Sequence, residues 1–169
     1  LISNQVVGRR KLDRLAGLAC HASIGVCVDD PKNINEINES AKRFGACVEV
    51  LVEIDIGAGR CGVLPGTAAV ELAKIISESS NLTFGGLQAY QGRAQHIRGF
   101  GERKIAIEKA GELVKKTVRL LSDAGFSCRL VTGAGTGTFQ FEAASGIWNE
   151  VQAGSYCFMD SDYGLNLGE

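Results

Sequence analysis

The sequence predicts an α/β fold, a (β/α)8 TIM-type barrel that is incomplete, and three observations carry that expectation. Apolar strand-like runs alternate with helical patterns along the whole chain. Helix-sized segments separate the strands, so consecutive strands run parallel. The strands also have one aliphatic and one polar face: Val48, Val50, Val52, Ile54 and Ile56 share one side, while Glu49, Leu51, Glu53 and Asp55 share the other. An open doubly wound sheet is covered by helices on both faces and wants both apolar. A barrel with helices outside and a ligand-bearing lumen suits one face of each kind. An antiparallel sheet with a wet face fails on the length of the connections.

Taken in order, "LISNQVV" (1–7) reads as the end of a strand and "SIGVCVD" (23–29) as the next one. Asp30-Pro31 supplies an N-cap and a first-turn proline. Behind them Ile34, Ile37, Ala41 and Phe44 form a helical stripe that stops at Gly45. "CVEVLVEID" (47–55) is a strand, followed by a helix near 67–78 with Ala69, Leu72, Ala73 and Ile76 on one face. "LTFGGLQAY" (82–90) is a strand with Gln88 and Tyr90 on one side and Leu87 and Ala89 on the other. A helix near 102–124 carries Ile107, Ala110, Val114, Val118 and Leu121 and ends at Gly125. "SCRLVT" (127–132) and "NEVQAGSY" (149–156) supply two more strands, the latter with Glu150 and Gln152 opposite Val151 and Ala153. Five strands and part of a sixth do not close a barrel of eight, and the chain starts at Leu1 without a methionine. Both facts predict a piece of a longer protein, with residues 1–169 forming one partial domain.

Composition narrows the function. With 169 residues and 45% hydrophobic content the chain can bury a core, and a net charge of −1 gives no basic field for nucleic acid or an anionic membrane. No apolar run reaches the ~18 residues of a membrane helix, and no signal-peptide pattern opens the chain. The six cysteines are scattered with no C-x-x-C pair, which predicts reduced, mostly buried thiols in a cytoplasmic protein rather than a disulfide frame or zinc site.

The chemistry sits in glycine-rich strand exits. "GAGRCG" (57–62) matches G-x-G-x-x-G, but Val-Leu-Pro-Gly follows where a helix should open, so the dinucleotide reading is poor. Arg60 stands on that loop either as a surface residue or as a site residue. "TGAGTGT" (132–138) lacks the lysine of a Walker loop. Alternating glycines let backbone N–H groups converge on one anion and threonine hydroxyls add donors, which suits a phosphate monoester; a tight structural turn is the alternative. "QAGSY" (152–156) repeats the theme, and neighbouring final strands of a barrel often share one phosphate site. His96 could face a site, and His21 reads as a surface residue at a helix end. Asp160 and Asp162 read as turn formers before metal ligands.

"VEIDIGAGRCGV", "GLQAYQGRAQH", "VTGAGTGTFQFEAASG" and "NEVQAGSYCFMDSDYG" together resemble the D-threonine aldolase and 3-hydroxyaspartate aldolase group, within the alanine-racemase-like class of pyridoxal-phosphate enzymes. The resemblance runs along essentially the whole chain. It implies a (β/α)8 barrel of which this chain spans about the third to the eighth strand, with the first strands and a C-terminal β-domain outside it. Carried over residue by residue, Thr136 with Gly135 and Gly137, and Gly154 with Ser155, resemble the phosphate cradle. Tyr163 matches a tyrosine of the same cofactor site, Arg60 an arginine beside the cofactor ring, and Tyr90 a residue near it. The family's Schiff-base lysine belongs to a first-strand motif that this chain lacks, and its divalent metal (Mn or Mg) is held by the β-domain. The resemblance implies an aldolase that cleaves D-configured β-hydroxy amino acids to glycine and an aldehyde, in a homodimer. A D-serine or hydroxyaspartate dehydratase and a non-catalytic pyridoxal-phosphate-binding barrel are the alternatives.

Overall fold

In the computed structural model, which describes residues 1–159 and 161–168, each of the first five strands is followed by a helix. The strands are β1 (Ile2–Gln5), β2 (Gly25–Val28), β3 (Val48–Glu53), β4 (Leu82–Ala89), β5 (Leu130–Gly133) and β6 (Glu150–Val151). The helices are α1 (Arg9–Ala19), α2 (Pro31–Phe44), α3 (Thr67–Glu78), α4 (Phe100–Asp123) and α5 (Phe139–Ala144). Local chemistry sets several boundaries. Asp30 caps α2 by accepting the Asn33 N–H at 3.0 Å, Pro31 occupies its first turn, and Gly45 ends it in the left-handed region at φ 66°. The sequence reading of His21 at a helix end agrees with α1 without giving its bounds, and the pattern does not single out the one-and-a-half turns of α5, which lack a side-chain cap and a long apolar stripe.

The six strands pair in sequential order, β1 to β6, and every pairing is parallel. They form a curled half-barrel with the helices on the outer face. Val26, Val28, Val48, Val50, Val52, Leu87 and Ala89 pack outward against Leu12, Ile34, Ile37, Leu72, Ile76, Ile107 and Val114 in one continuous core. Burying an aliphatic side chain of this kind contributes roughly 1.5–3 kcal/mol. At Gly86 the β3–β4 register shifts, and its φ of +142° brings the backbone so close to Leu130 that no side chain fits.

The inner face is polar and internally bonded, as the alternation predicts. Gln5 Nε2 donates to Glu53 at 2.5 Å, Gln152 Nε2 donates to Gln88 at 2.7 Å and to Thr132 at 2.9 Å, and Thr132 donates to Glu150 at 2.7 Å. Glu49 pairs with Arg129 near the N-terminal end of the sheet.

The thiols depart from expectation. All six cysteines are free, but only Cys27 is buried; Cys61 and Cys128 are half-buried and Cys20, Cys47 and Cys157 exposed. The exposed ones lie at element ends, outside the apolar runs proper. Burial pushes the Cys27 thiol up to about 12. No helix among the described residues is long and apolar enough to cross a membrane.

Candidate functional site

The loop after β3 is folded by carboxylates. Asp55 Oδ1 accepts the N–H groups of Gly57 at 2.9 Å and Gly59 at 3.0 Å, and Asp29 Oδ2 accepts that of Gly62 at 2.9 Å. Val63 then returns to the sheet: its N–H donates to the Glu53 carbonyl and its own carbonyl accepts from Asp55, both at 2.9 Å. Burial works against ionisation of Asp55, but the bonds from Gly59, Gly57 and Ala58 outweigh it and hold the carboxyl below its ordinary value. The N–H groups of the three glycines are therefore already held by carboxylates, and α3 opens only at Thr67.

This folding leaves Arg60 projecting over the strand ends. Its guanidinium lies 5.6 Å from the centroid of the Tyr90 ring and 4.0 Å from Glu53, and its side chain is 59% exposed. Of the acids on the β3 inner face only Glu53 approaches it, since Asp55 folds the loop and Glu49 belongs to Arg129. Glu53 is 4% exposed. Burial raises its carboxyl, while the Gln5 bond and Arg60 pull the other way.

The loop after β5 is folded by an amide. Gln95, from the 3-10 turn Arg93–His96 that follows β4, inserts its carboxamide beneath it. Gln95 Oε1 accepts the Gly137 N–H at 2.9 Å, and Gln95 Nε2 donates to Thr138 Oγ1 at 2.7 Å and to the Gln91 carbonyl at 3.2 Å. Thr138 in turn donates to Glu142 Oε1 at 2.8 Å. Burial raises the Glu142 carboxyl and the Thr138 bond opposes it. Gly137 thus belongs to the loop without offering its N–H outward.

Thr136 sits on the other side of the same loop. Its hydroxyl accepts the Tyr156 N–H at 3.1 Å, joining the loop to the Gly154–Tyr156 turn. A Cβ added to Gly135 would lie 3.0 Å from the Tyr90 hydroxyl. Arg60, Tyr90, Gly135, Thr136 and the Gly154–Ser155 turn therefore form one contiguous mouth at the C-terminal ends of β3 to β6.

Tyr163 reaches this mouth from the tail. Its ring stacks on His96 at 5.9 Å, and it lines a cavity of about 370 Å³ with Thr136, Gly137 and Arg103. His96 Nδ1 lies 2.5 Å from Asp162, which also pairs with Arg98, so His96 serves to dock the tail. The buried Arg103 donates to the carbonyls of Ile97, Arg98 and Leu167 at 2.7–2.8 Å. Asp160 lies outside the described residues, and His21 is exposed just beyond α1.

The phosphate end of a cofactor fits this mouth. Among the described residues the N–H groups of Thr136, Gly154 and Ser155 donate to no protein acceptor, and the Thr136 hydroxyl proton has none either. A covalent carbonyl partner does not stand beside them, since all eight lysines lie on α1 to α4. The described residues also hold no group of three His, Cys, Asp or Glu side chains suited to a metal ion. Sequence reasoning missed Gln95, Glu142 and Asn166. The signal available was the polar Gln91 and Gln95 in a strand exit and Thr138 just before an apolar run.

A parallel half-barrel with hydroxyl and N–H donors gathered at the strand exits defines a segment of a (β/α) barrel. The profile described as "Alanine racemase, N-terminal domain" matches residues 7–162, and the chain belongs to that family of pyridoxal-phosphate enzymes. It is 47% identical over 165 residues to the 3-hydroxy-D-aspartate aldolase of Paracoccus denitrificans (strain Pd 1222), covering 97% of this chain and 43% of that protein. It is 44% identical over 165 residues to the D-threonine aldolase of an Arthrobacter species, covering 98% and 44%. The crystal structure of D-threonine aldolase from Filomicrobium marinum superposes with a TM-score of 0.96 at 49% identity, covering 98% of this chain and 45% of that one. The chain thus spans less than half the length of these relatives.

Proposed function

We propose that the protein carrying this chain is a pyridoxal-phosphate-dependent aldolase that cleaves D-configured β-hydroxy amino acids, of the D-threonine or 3-hydroxyaspartate type, to glycine and an aldehyde. The observation that carries this reading is the contiguous mouth in which Arg60, Tyr90 and Thr136 meet, in a chain whose relatives of 44–49% identity are such aldolases. In this reading the remaining two strands of an eight-stranded barrel, the Schiff-base lysine and the Mn or Mg ligands belong to the rest of that protein, which works as a homodimer.

Thr136 donates its hydroxyl to the cofactor phosphate while holding the Tyr156 N–H, and the N–H groups of Gly154 and Ser155 close the same anion from the β6 side. Tyr163, stacked on His96, flanks the phosphate. Gly135 and Gly137 keep the loop low enough to admit it. Bound pyridoxal phosphate supplies the electron sink for the pair left on Cα when the Cα–Cβ bond breaks. Arg60 holds a fixed planar charge at the ring edge, oriented by the Tyr90 face and by Glu53. That charge favours electron withdrawal without giving up a proton. Burial raises the Tyr90 phenol, with the neighbouring Tyr163 adding to it against Arg60, so Tyr90 stays neutral beside the substrate.

Two measurements test this. Given D-threonine or D-3-hydroxyaspartate, the purified protein should release glycine and an aldehyde; ammonia and a keto acid would instead establish a dehydratase. Thr136→Val removes a charge-assisted bond worth about 1.5–3 kcal/mol, so cofactor affinity should fall roughly 10- to 100-fold. An unchanged dissociation constant would return the loop to a purely structural turn.

A further inference from the structure

We propose that Gln95 is a positioning residue for the cofactor phosphate: its buried carboxamide, backed through Thr138 by Glu142, fixes where Thr136 presents its donors. The inference rests on the phosphate reading of the loop and goes beyond it by naming what shapes the cradle.

Gln95 is 1% exposed, and both ends of its amide are used. Its oxygen takes the Gly137 N–H, and its two N–H groups go to Thr138 and Gln91. Turning the amide over would set an N–H against the Gly137 N–H, so only one orientation is compatible with the loop. The direction then propagates. Thr138 accepts from Gln95, so its single proton goes to Glu142 Oε1, and its hydroxyl makes no cap bond to α5. Glu142 is also 1% exposed, and its Oε2 has no hydrogen-bond partner among the described residues. A buried carboxyl with one oxygen unbonded is costly unless it serves something, and what it touches is the hydroxyl that Gln95 holds.

The alternating glycines follow from the same insertion. A Cβ at Gly135 would lie 2.5 Å from Gln95 Oε1, and one at Gly137 would lie 2.7 Å from the Gln95 carbonyl. Gly135 therefore admits the carboxamide of Gln95, and Gly137 admits its backbone. The upper side of the loop is left to Thr136, whose N–H and hydroxyl proton meet no protein acceptor among the described residues. The Gln95 carbonyl also accepts from Asn166 Nδ2 at 2.9 Å, so one residue registers both the loop and the tail that carries Tyr163.

The test compares pyridoxal phosphate with pyridoxal, which lacks the phosphate, by equilibrium titration of the intact protein carrying this chain. Gln95→Met keeps the volume and removes all three side-chain bonds. The phosphate ester should then bind at least about 10-fold more weakly, with pyridoxal changing by less than about 2-fold. Glu142→Leu should move the ratio in the same direction, and Glu142→Gln, which still accepts the Thr138 proton, should restore it. If Gln95→Met does not fold, Thr138→Val breaks the same chain of bonds in an isosteric side chain and carries the same expectation. An unchanged ratio, or equal losses for both ligands, overturns the proposal. Thr136→Val separates the two layers. If it leaves the ratio unaltered, the phosphate reading itself fails; if it shifts the ratio while Gln95→Met does not, only the positioning role is lost.

Discussion

Two glycine-rich loops leave the sheet at neighbouring places, after β3 and after β5, and they are folded by opposite chemistry. The first closes on carboxylates: Asp55 and Asp29 take the N–H groups of Gly57, Gly59 and Gly62. The second closes on a neutral amide, which takes Gly137 and leaves Thr136 open. Both have the composition of an anion cradle, but the first turns its glycine N–H groups onto carboxylates, whereas the second leaves the Thr136 N–H and hydroxyl proton without a protein acceptor among the described residues. A glycine pattern shows that backbone approaches something closely. The group that accepts the N–H bonds decides what.

The sharpest way to break this comparison is to add one methyl to the first loop and, as a reference, one to the open turn between α5 and β6. At Gly62 the φ is +103°, and a Cβ would lie 2.6 Å from the Asp55 nitrogen and 2.7 Å from the Ile54 carbonyl carbon. Neither can retreat, because Val63 is bonded to both sides of that turn. Gly62→Ala should therefore cost more than about 3 kcal/mol in chemical denaturation. Gly146→Ala, at φ +69° with nothing within 4 Å of the new Cβ, should cost about 1 kcal/mol. Comparable losses at the two positions would mean that the first loop is not clamped by its return to β3.

The unequal legibility of the two loops has a physical cause. The strand faces, the capped start of α2 and the helix over 67–78 follow from periodicity and from single residues such as Asp30 and Gly45, so the sequence carries them directly. The placement of Arg60 and Thr136 on glycine-rich strand exits was also readable. Gln95 was not, because it lies about 40 positions from the loop it folds, and nothing local marks an amide that will be buried. Glu142 was hidden for the related reason that charged residues are expected outside, and its burial depends on Thr138 being turned toward it. The exposed cysteines were misjudged because run membership says little about residues at the ends of runs.

A second prediction asks whether the first loop, whose glycine N–H groups are held by carboxylates, contributes to chemistry through its side chain. Arg60 is largely exposed, and its contacts are one aromatic face and a carboxylate at 4.0 Å, so the fold does not depend on it heavily. Arg60→Lys should leave the thermal midpoint nearly intact and reduce turnover at saturating cofactor at least roughly 10-fold, or about 1.4 kcal/mol of barrier. Normal turnover with a depressed midpoint would place Arg60 in the scaffold, and the first loop would then be structural throughout.

The smallest effect is also the one that distinguishes the two clamps by sign. Asp55, under the first loop, titrates below its ordinary 3.8 in the folded chain because the N–H bonds favour its ionised form against burial. Its contribution to stability is complete above that ordinary value and is lost as pH falls through the folded value. Glu142, under the second loop, titrates above its ordinary 4.5 because burial disfavours the carboxylate. Its contribution is complete below 4.5 and is lost as pH rises through the folded value. Denaturation midpoints should therefore respond in opposite windows: Asp55→Asn should remove part of the acid loss below about pH 4, and Glu142→Gln should flatten the decline that begins above about pH 4.5. Asp55 is partly exposed, so its share is the weaker of the two. Should both substitutions alter the same side of the pH profile, the carboxylate clamp and the amide clamp would not be distinct devices, and the contrast between the loops would reduce to sequence alone.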